Sequence, residues 1–225
     1  MVDPALLERR LSSERLAPYR AVVGDDLTRA IALYEWNVDV TAAFSATLGQ
    51  VEVVVRNAMH EQLTAWSTSR HGEPRWYLDP GRVLHAAAGD DIREARHRAT
   101  RDGRPENIGR VIAELSFSFW RFLVVARYER TLWLPCLRDA FPTIRGRGIR
   151  RNVHDGLRDL HVLRNRIAHH EPIHNRPLAE LHETALTTIG WVCPETRGWI
   201  ETRSQVPAIL AGRPGRHADC PDQAR

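Results

Sequence analysis

The sequence predicts an all-α fold. Apolar residues recur at spacings of three and four along most of the chain, which is the period of an amphipathic helix. Alternating runs of β-branched residues, which indicate half-buried strands, are scarce. With 225 residues, 43% of them hydrophobic, the chain is large enough to bury a sizeable core. We therefore expect a single all-helical domain over 1–212 and a disordered tail over 213–225.

The first half of the chain predicts two helical regions and an insert. The first helix should run from about Pro4 to Ala21 and end before a Gly-Asp-Asp turn. A long helical region follows, and Gly49 should kink it or split it in two. A loop containing Gly and Pro and a charged helix come next, and we expect them to form a side feature over 68–104.

Four elements are predicted in the second half. A helix should open at Pro105 and continue through an aromatic segment to about Ala126. Pro135 should interrupt the short helical segment that follows. Two further helices are expected, over about 150–170 and from about 178 to 192.

Charge is concentrated in one part of the sequence. All 32 basic residues are arginine, whose planar fork suits phosphate. Eight arginines lie between 138 and 166, against three acidic residues, at a formal net charge of +4 for the whole chain. One interpretation is a solvated face with a basic loop, and the other is a surface that attracts RNA phosphates. The second predicts RNA contacts at Arg150, Arg151, Arg158 and Arg166.

One short motif, "HVLRNRIAHHEPIHNRP" (161–177), breaks the helical pattern. Val153, Leu157, Leu160 and Ile167 form an apolar seam, and Arg164 stands where the seam should continue. A buried, unpaired guanidinium would be unfavourable, so Arg164 is expected to face a cleft or a partner rather than the core. The alternative is an arginine that extends to solvent from the edge of the seam.

Pro172 should end this helix near His170 or Glu171, because the residue before a proline avoids the α region. His169 and His170 then lie in the last turn, where the helix dipole favours the protonated imidazole. Neither histidine shares the face of Arg164 in a continuous helix, although a loosened last turn could bring one alongside it.

These residue types suit phosphodiester chemistry. Arginine can hold a phosphate and stabilise the charge that grows on its oxygens, and histidine can move a proton to or from a ribose hydroxyl. Asn165 can orient either group. We expect no metal and no other cofactor, because Pro172 separates His170 from His174 and no cysteine or carboxylate completes an obvious ligand set.

The motif also resembles a known family. "LRNRIAHHEP" (163–172) resembles the R-x(4–6)-H signature of the HEPN superfamily. Two more blocks, 32–63 and 114–123, resemble the Abi-like family of the abortive infection AbiD/AbiF type, as does the longer block 154–173. The likeness covers roughly 25–190 and keeps the three blocks in order.

The resemblance implies a HEPN-like helical bundle with additional helices, and a homodimer whose active site is built from both protomers. It implies a metal-independent endoribonuclease that leaves a 2′,3′-cyclic phosphate and a 5′-hydroxyl. Carried over by position, Arg164 binds the phosphate, Asn165 orients the histidine or the phosphate, and His169 or His170 is the general acid/base. His169 is favoured, because four residues between arginine and histidine, with Asn directly after the arginine, is the commonest form of the motif.

Other residues are expected to support that site. Glu52, Arg56 and Asn57 match an E-x3-R-N pattern in the first block, which suggests a polar network beside the Arg164 helix. An exposed ion pair of small energetic value is the alternative. His161 is expected to pack or to form hydrogen bonds next to Arg164.

The resemblance also suggests a biological role. Such proteins act in phage defence or as toxins, with RNA as substrate and an antitoxin or a phage-derived trigger as further partners. No run of about eighteen uncharged apolar residues and no apolar signal segment is seen, so we expect a cytoplasmic protein without a membrane span. The alternative function is a non-catalytic helical module that binds RNA or protein and keeps the motif for dimerisation.

Overall fold

The computed structural model describes residues 2–215, and within them the fold is all-helical, as predicted, with no β-strand. The helices are α1 (Pro4–Leu11), α2 (Ser13–Val23), α3 (Leu27–His71), α4 (Ala86–Ala99), α5 (Ile108–Glu114), α6 (Phe117–Phe122), α7 (Ile149–Ala168), α8 (Leu178–Val192), α9 (Pro194–Arg203) and α10 (Val206–Ala211). Buried residues of α2 through α10 join in one hydrophobic core.

Helix α3 forms the axis of the fold. It contains 45 residues, which corresponds to a length of roughly 68 Å. The predicted split at Gly49 was wrong, since the helix runs through it unbroken. The penalty of about 1 kcal/mol for glycine in a helix is offset by the buried neighbours Leu48, Val51 and Val55, which hold this stretch in the core.

The exposed face of α3 is unusual for its lack of charge. Between Asp39 and Arg56, its exposed residues are Ala42, Ser45, Ala46, Gly49 and Val53. By length and composition alone, an 18-residue stretch of α3 is apolar enough to cross a membrane, so the expected absence of a membrane span stays a prediction. Core helices of water-soluble proteins meet the same criterion, and one third of this stretch is buried inside the fold.

The N-terminal region forms two helices instead of the single predicted one. Ser12 has a left-handed φ of 81° and separates α1 from α2, and its side chain caps α2 by accepting a hydrogen bond from the backbone N–H of Arg15 at 3.2 Å. Serine is a favoured N-cap, so the local sequence encodes this break. An ion pair of 3.1 Å between Glu8 and Arg20 ties the two helices together as a hairpin, which packs on α3.

The helix expected from Pro105 to Ala126 is also broken. Helix α5 begins only after Asn107, which caps it, and ends at Glu114. Ser116 then accepts a hydrogen bond from the N–H of Phe119 at 3.2 Å and starts α6. Two polar caps within ten residues thus override the continuous apolar pattern. The interruption predicted at Pro135 is confirmed, since it lies between a π-helical turn (Glu129–Trp133) and a 3-10 turn (Leu137–Ala140).

The region predicted as a side feature contributes to the core. Trp76 and Tyr77 are each only 3% exposed, and the Trp76 ring stacks on Phe119 with 6.1 Å between ring centroids. Trp76 also donates a hydrogen bond from its indole nitrogen to Nδ1 of His60 at 2.9 Å. Large aromatic side chains therefore anchor this stretch between α3 and α6.

The helices that carry the motif match the prediction closely. Helix α7 covers Ile149–Ala168 and α8 covers Leu178–Val192. They pack on each other and on α3. The tail predicted as disordered over 213–225 lies mostly outside the described residues, and the described part after α10 is not helical.

Candidate functional site

The site is built on the turn that ends α7. Ala168 is the last helical residue and His169 is the C-cap. The backbone N–H of Glu171 donates to the carbonyl of Arg166 at 2.8 Å, and that of His170 donates to Ile167 at 3.0 Å. These two bonds define a Schellman motif, the turn that satisfies the last carbonyls of many helices.

His170 occupies the position that glycine usually holds in this motif. Its φ is 55°, in the left-handed region, which costs a side-chain-bearing residue about 1 kcal/mol. Such a conformation persists only when the surrounding structure holds it in place. The imidazoles of His169 and His170 are both exposed.

The side chains of Arg166, Arg15 and Asn37 hold this turn in place. Arg166 pairs with Glu171 at 2.9 Å and donates to the Pro172 carbonyl at 2.9 Å. Nη1 of Arg15, on α2, donates to the carbonyl of His170. The buried Asn37, on α3, receives the backbone N–H groups of the next two residues through Oδ1, at 2.9 Å from residue 173 and 3.0 Å from residue 174.

His174 lies beneath the turn as part of its support. Its ring is 2% exposed and lies 4.7 Å from the Tyr19 ring, measured between centroids. Burial lowers the pKa of His174, and the positive charges of Arg213 and Arg166 lower it further. A neutral, buried imidazole at this place braces the chain after α7 and does not reach the surface.

Arg164 is exposed on α7, and Leu163, 2% exposed, takes the core position next to it. The apolar seam therefore passes through Leu163, and the arginine is not part of the core. Within residues 2–215, the guanidinium of Arg164 makes no hydrogen bond and no ion pair. The expected cleft or partner in front of it stays a prediction.

His161 and Asn165 lie next to Arg164 on the same helix. Nδ2 of Asn165 is 3.4 Å from Nε2 of His161, and the His161 ring lies 6.2 Å from the Phe117 ring of α6, measured between centroids. Burial lowers the pKa of His161, and the charges of Arg121 and Arg164 act in the same direction. Asn165 thus contacts His161, as the i, i+4 spacing allows.

The structure does not bring Arg164 and the two terminal histidines together within one chain. His169 follows Arg164 by five residues, which on a helix means ~7.5 Å along the axis and about 140° around it. The backbone N–H of His169 still donates to the carbonyl of Asn165 at 3.0 Å, so the last turn is not loosened. A single phosphate cannot easily touch both groups of the same chain.

The residues of the first family-like block lie on α3. Nε of Arg56 donates to Oδ1 of Asn57 at 3.3 Å. No side-chain hydrogen bond or ion pair among the described residues links Glu52, Arg56 or Asn57 to α7. Their predicted role as a network beside Arg164 stays a prediction.

The four arginines predicted to contact RNA all have partners within the chain. Arg150 donates to the Val124 carbonyl at 2.9 Å and lies 3.3 Å from Glu129. Arg158 pairs with both Asp155 and Asp159, at 3.1 Å and 3.0 Å. Arg151 is 3.6 Å from Asp155, and Arg166 holds Glu171 as described above. The surface is therefore less positive than the count of arginines suggests.

Sequence reasoning missed three residues of this region: Arg15, Asn37 and Arg121. Arg15 and Asn37 come from distant helices, and no local pattern marks them. Arg121 did leave a signal, because it is the only charged residue in the apolar run "SFSFWRFLVV". Its Nε is buried without a hydrogen-bond partner.

A groove adjoins α7, and the described residues form no cluster of metal ligands. A groove of about 270 Å³ runs between α7 and α8, lined by Leu163, Arg166 and Glu180 among others, on the far side of α7 from His161. Among residues 2–215, no group of three or more histidine, cysteine or acidic side chains is arranged to hold a metal ion.

Fold and site together define an all-helical protein with an unpaired arginine and two exposed histidines at the end of a long amphipathic helix. No family model, curated protein or solved structure matches the chain.

Proposed function

We propose that this chain is a metal-independent endoribonuclease of the HEPN type, related to the Abi-like proteins that its motif resembles. The observation that carries the proposal is the state of Arg164, a guanidinium that is exposed and has no partner within residues 2–215. It shares its helix with two exposed histidines in a turn that three other side chains hold in place. The remaining arginines predicted to contact RNA are paired.

The chemistry follows from these groups. The fork of Arg164 can bind the scissile phosphate through two hydrogen bonds and stabilise the charge that grows during attack. An exposed imidazole, His169 or His170, takes the proton from the ribose 2′-hydroxyl. The 2′-oxygen then forms a bond to phosphorus, the bond from phosphorus to the 5′-oxygen breaks, and the 5′-oxygen takes a proton from the imidazolium or from water. The products are a 2′,3′-cyclic phosphate and a 5′-hydroxyl.

We further propose that the complete site needs two copies of the chain. Arg164 and His169 point about 140° apart around α7, so one protomer does not offer both to the same phosphate. A two-fold arrangement with the ends of two α7 helices facing each other would let Arg164 of one copy act with a histidine of the other. Mixing an Arg164→Ala variant with a His169→Ala, His170→Ala variant tests this, because only a composite site regains activity on mixing.

Cleavage of RNA by the purified protein in the presence of EDTA tests the activity. The wild-type protein should cleave, and Arg164→Ala should reduce the rate by at least about a hundredfold, as expected when one charge-stabilising group is removed. The matched control is Arg93→Ala on α4, an exposed arginine whose one ion pair within residues 2–215 is with Asp90 at 2.7 Å. It removes the same charge and should leave the rate unchanged.

Each other outcome has a definite meaning. Full cleavage by Arg164→Ala contradicts the proposed site. Loss of cleavage in EDTA indicates a metal-dependent nuclease. RNA binding with no cyclic-phosphate product supports the alternative, a non-catalytic module that keeps the motif for dimerisation.

The cellular role is proposed from the same resemblance. An RNase of this kind acts in the cytoplasm as a toxin or a phage-defence effector, restrained by an antitoxin or released by a phage-derived trigger. Induction of the wild-type chain should arrest growth, and induction of Arg164→Ala to the same protein level should not.

A further inference from the structure

Helix α6 runs antiparallel to α7 beside Arg164. Phe117, at the start of α6, faces His161 near the end of α7, with 6.2 Å between ring centroids. Val124, just after α6, accepts a hydrogen bond from Arg150 at the start of α7 at 2.9 Å. Arg121 follows Phe117 by four residues and therefore shares its face, directed at α7.

Arg121 is a half-buried cation without compensation. Its guanidinium lies over the Phe122 ring, 4.2 Å from the ring centroid, and its Nε is buried without a partner. Its side chain forms no ion pair within residues 2–215. Burial lowers the pKa of Arg121, and the nearby charge of Arg158 adds to the effect.

The surroundings of Arg121 contain cations and a neutral imidazole. Burial, Arg121 and Arg164 all lower the pKa of His161, and no acid opposes them. Arg158 is compensated by its two aspartates, which leaves Arg121 and Arg164 as the unpaired charges of this face. The charges of both unpaired guanidiniums act on the His161 imidazole, so they share one neighbourhood, and a bound anion there relieves the repulsion between like charges.

We infer that Arg121 and Arg164 form a phosphate-binding site between α6 and α7, with His161 as a third hydrogen-bond donor. Arginine forks bind phosphate through two parallel hydrogen bonds, and a partly desolvated site strengthens them. Phe122, 48% exposed next to Arg121, adds an aromatic surface on which a base can stack, as in single-strand binding sites. The assignment of this phosphate to an RNA backbone rests on the proposed function. The anion site itself does not depend on that function.

The His161 resonance provides a direct readout of this site. The Cε1–H signal of His161 is followed by NMR against pH, with and without inorganic phosphate, and with a short DNA oligonucleotide, which lacks the 2′-hydroxyl and is not cleaved. In the wild-type protein, each ligand should raise the pKa of His161, because a bound anion favours the imidazolium. Phosphate alone reports the anion site, and a larger effect of the oligonucleotide assigns the phosphate to a polynucleotide.

The test variant is Arg121→Gln, with Arg130→Gln, an exposed arginine outside the cluster, as the matched control. Arg121→Gln should weaken apparent phosphate affinity by about tenfold or more, the effect of losing one charge-assisted pair of hydrogen bonds. The control should bind as the wild type does. Removal of an uncompensated cation should leave the fold intact, and Arg121→Met, whose apolar chain still covers Phe122, serves if the glutamine variant does not fold.

If phosphate does not change the pKa of His161 in the wild-type protein, the inference is overturned. Equal phosphate affinities of the wild type and Arg121→Gln overturn it as well. The proposed RNase activity fails separately. If phosphate and DNA bind through Arg121 and no RNA is cleaved, the anion site stands and the RNase assignment falls. If RNA is cleaved and phosphate does not change the pKa of His161, the RNase assignment stands and the anion site falls.

Discussion

Arg15 donates a hydrogen bond from Nη1 to the backbone carbonyl of His170, although 155 residues separate the two in the chain. His170 is the left-handed residue of the turn that ends α7. The same guanidinium lies 5.7 Å from the centroid of the Tyr34 ring on α3. The N-terminal hairpin, which resembles no block of the motif family, is thus part of the frame that sets the positions of the two histidines.

Arg15→Ala should loosen that turn. Loss of the hydrogen bond should lower the free energy of unfolding by about 1 kcal/mol and speed amide exchange at Glu171, whose N–H closes the turn. Urea denaturation and hydrogen exchange measure the two effects. Arg10→Ala, an exposed arginine on α1, is the control and should change neither. Identical exchange at Glu171 in the two variants would show that Arg15 does not hold the turn.

The two histidines can be separated through their backbone conformations. His170→Gly removes the left-handed strain, so this variant should keep its stability or gain up to about 1 kcal/mol. His169→Gly, at the C-cap with a negative φ of −94°, should lose between about 0.5 and 1 kcal/mol. Thermal unfolding of both variants checks these values, and a loss of stability in His170→Gly would contradict the assigned turn.

RNA cleavage by the His170→Gly and His169→Gly variants then shows which of the two histidines transfers the proton. A stable His170→Gly protein that no longer cleaves identifies His170 as the general acid/base, because its fold is intact. A stable His170→Gly protein that cleaves normally leaves the role to His169, which the spacing of the motif favours.

Asn37 carries the other support of the turn. Its Oδ1 receives two buried backbone N–H groups, and Asn37→Ala leaves both without a partner. Each unsatisfied donor costs about 1–3 kcal/mol, so the loss of both partners should lower the free energy of unfolding by about 2–6 kcal/mol. Asn57→Ala, at an exposed position of the same helix, should stay within about 0.5 kcal/mol of the wild type in the same denaturation measurement. Equal stabilities would contradict this role of Asn37.

The fold should be sensitive to acid through its buried histidines. Burial is the largest cause that lowers the pKa of each of four histidines below the ordinary value of 6.5; these are His60, His161, His174 and His182. The unfolded chain therefore binds more protons than the folded one as the pH falls below about 6.5, and stability falls with it. The stability that these histidines contribute should be fully present above that pH.

Thermal unfolding between pH 8 and 5 measures this effect. His182→Asn, which removes one of the four groups, should flatten the dependence below about pH 6.5. Asn57→Ala, which removes an exposed side chain without a titratable group, should leave the slope unchanged. A melting temperature that does not fall below that pH would contradict the neutral state of the four rings, of which two are buried and two are partly buried.

Much of the fold could be predicted from periodicity, and its breaks could not. The bounds of α7 and α8 follow from apolar spacing and the flanking prolines. The breaks at Ser12 and Ser116 depend on a single side chain that caps the next helix, a signal that a continuous apolar pattern hides. Gly49 shows the converse, since burial of its neighbours outweighs its own low helix propensity.

The site was predictable only in part, for a similar reason. Arg164, Asn165, His169 and His170 stand in one motif, so local sequence marks them. The pairing of Arg150, Arg158 and Arg166 depends on which acids and carbonyls the fold places nearby, and a count of charges does not contain that information. Arg15 and Asn37 act across helices, where only tertiary structure shows the contact.

The central claim is that Arg164 holds an RNA phosphate while a histidine at the end of α7 moves the proton. Sequencing of RNA 5′-hydroxyl ends in cells that express the wild type or Arg164→Ala at equal levels tests it most directly. The account predicts new 5′-hydroxyl ends, matched by upstream 2′,3′-cyclic phosphates, in the wild type and none above background in Arg164→Ala. The same ends at the same frequency in both would contradict it.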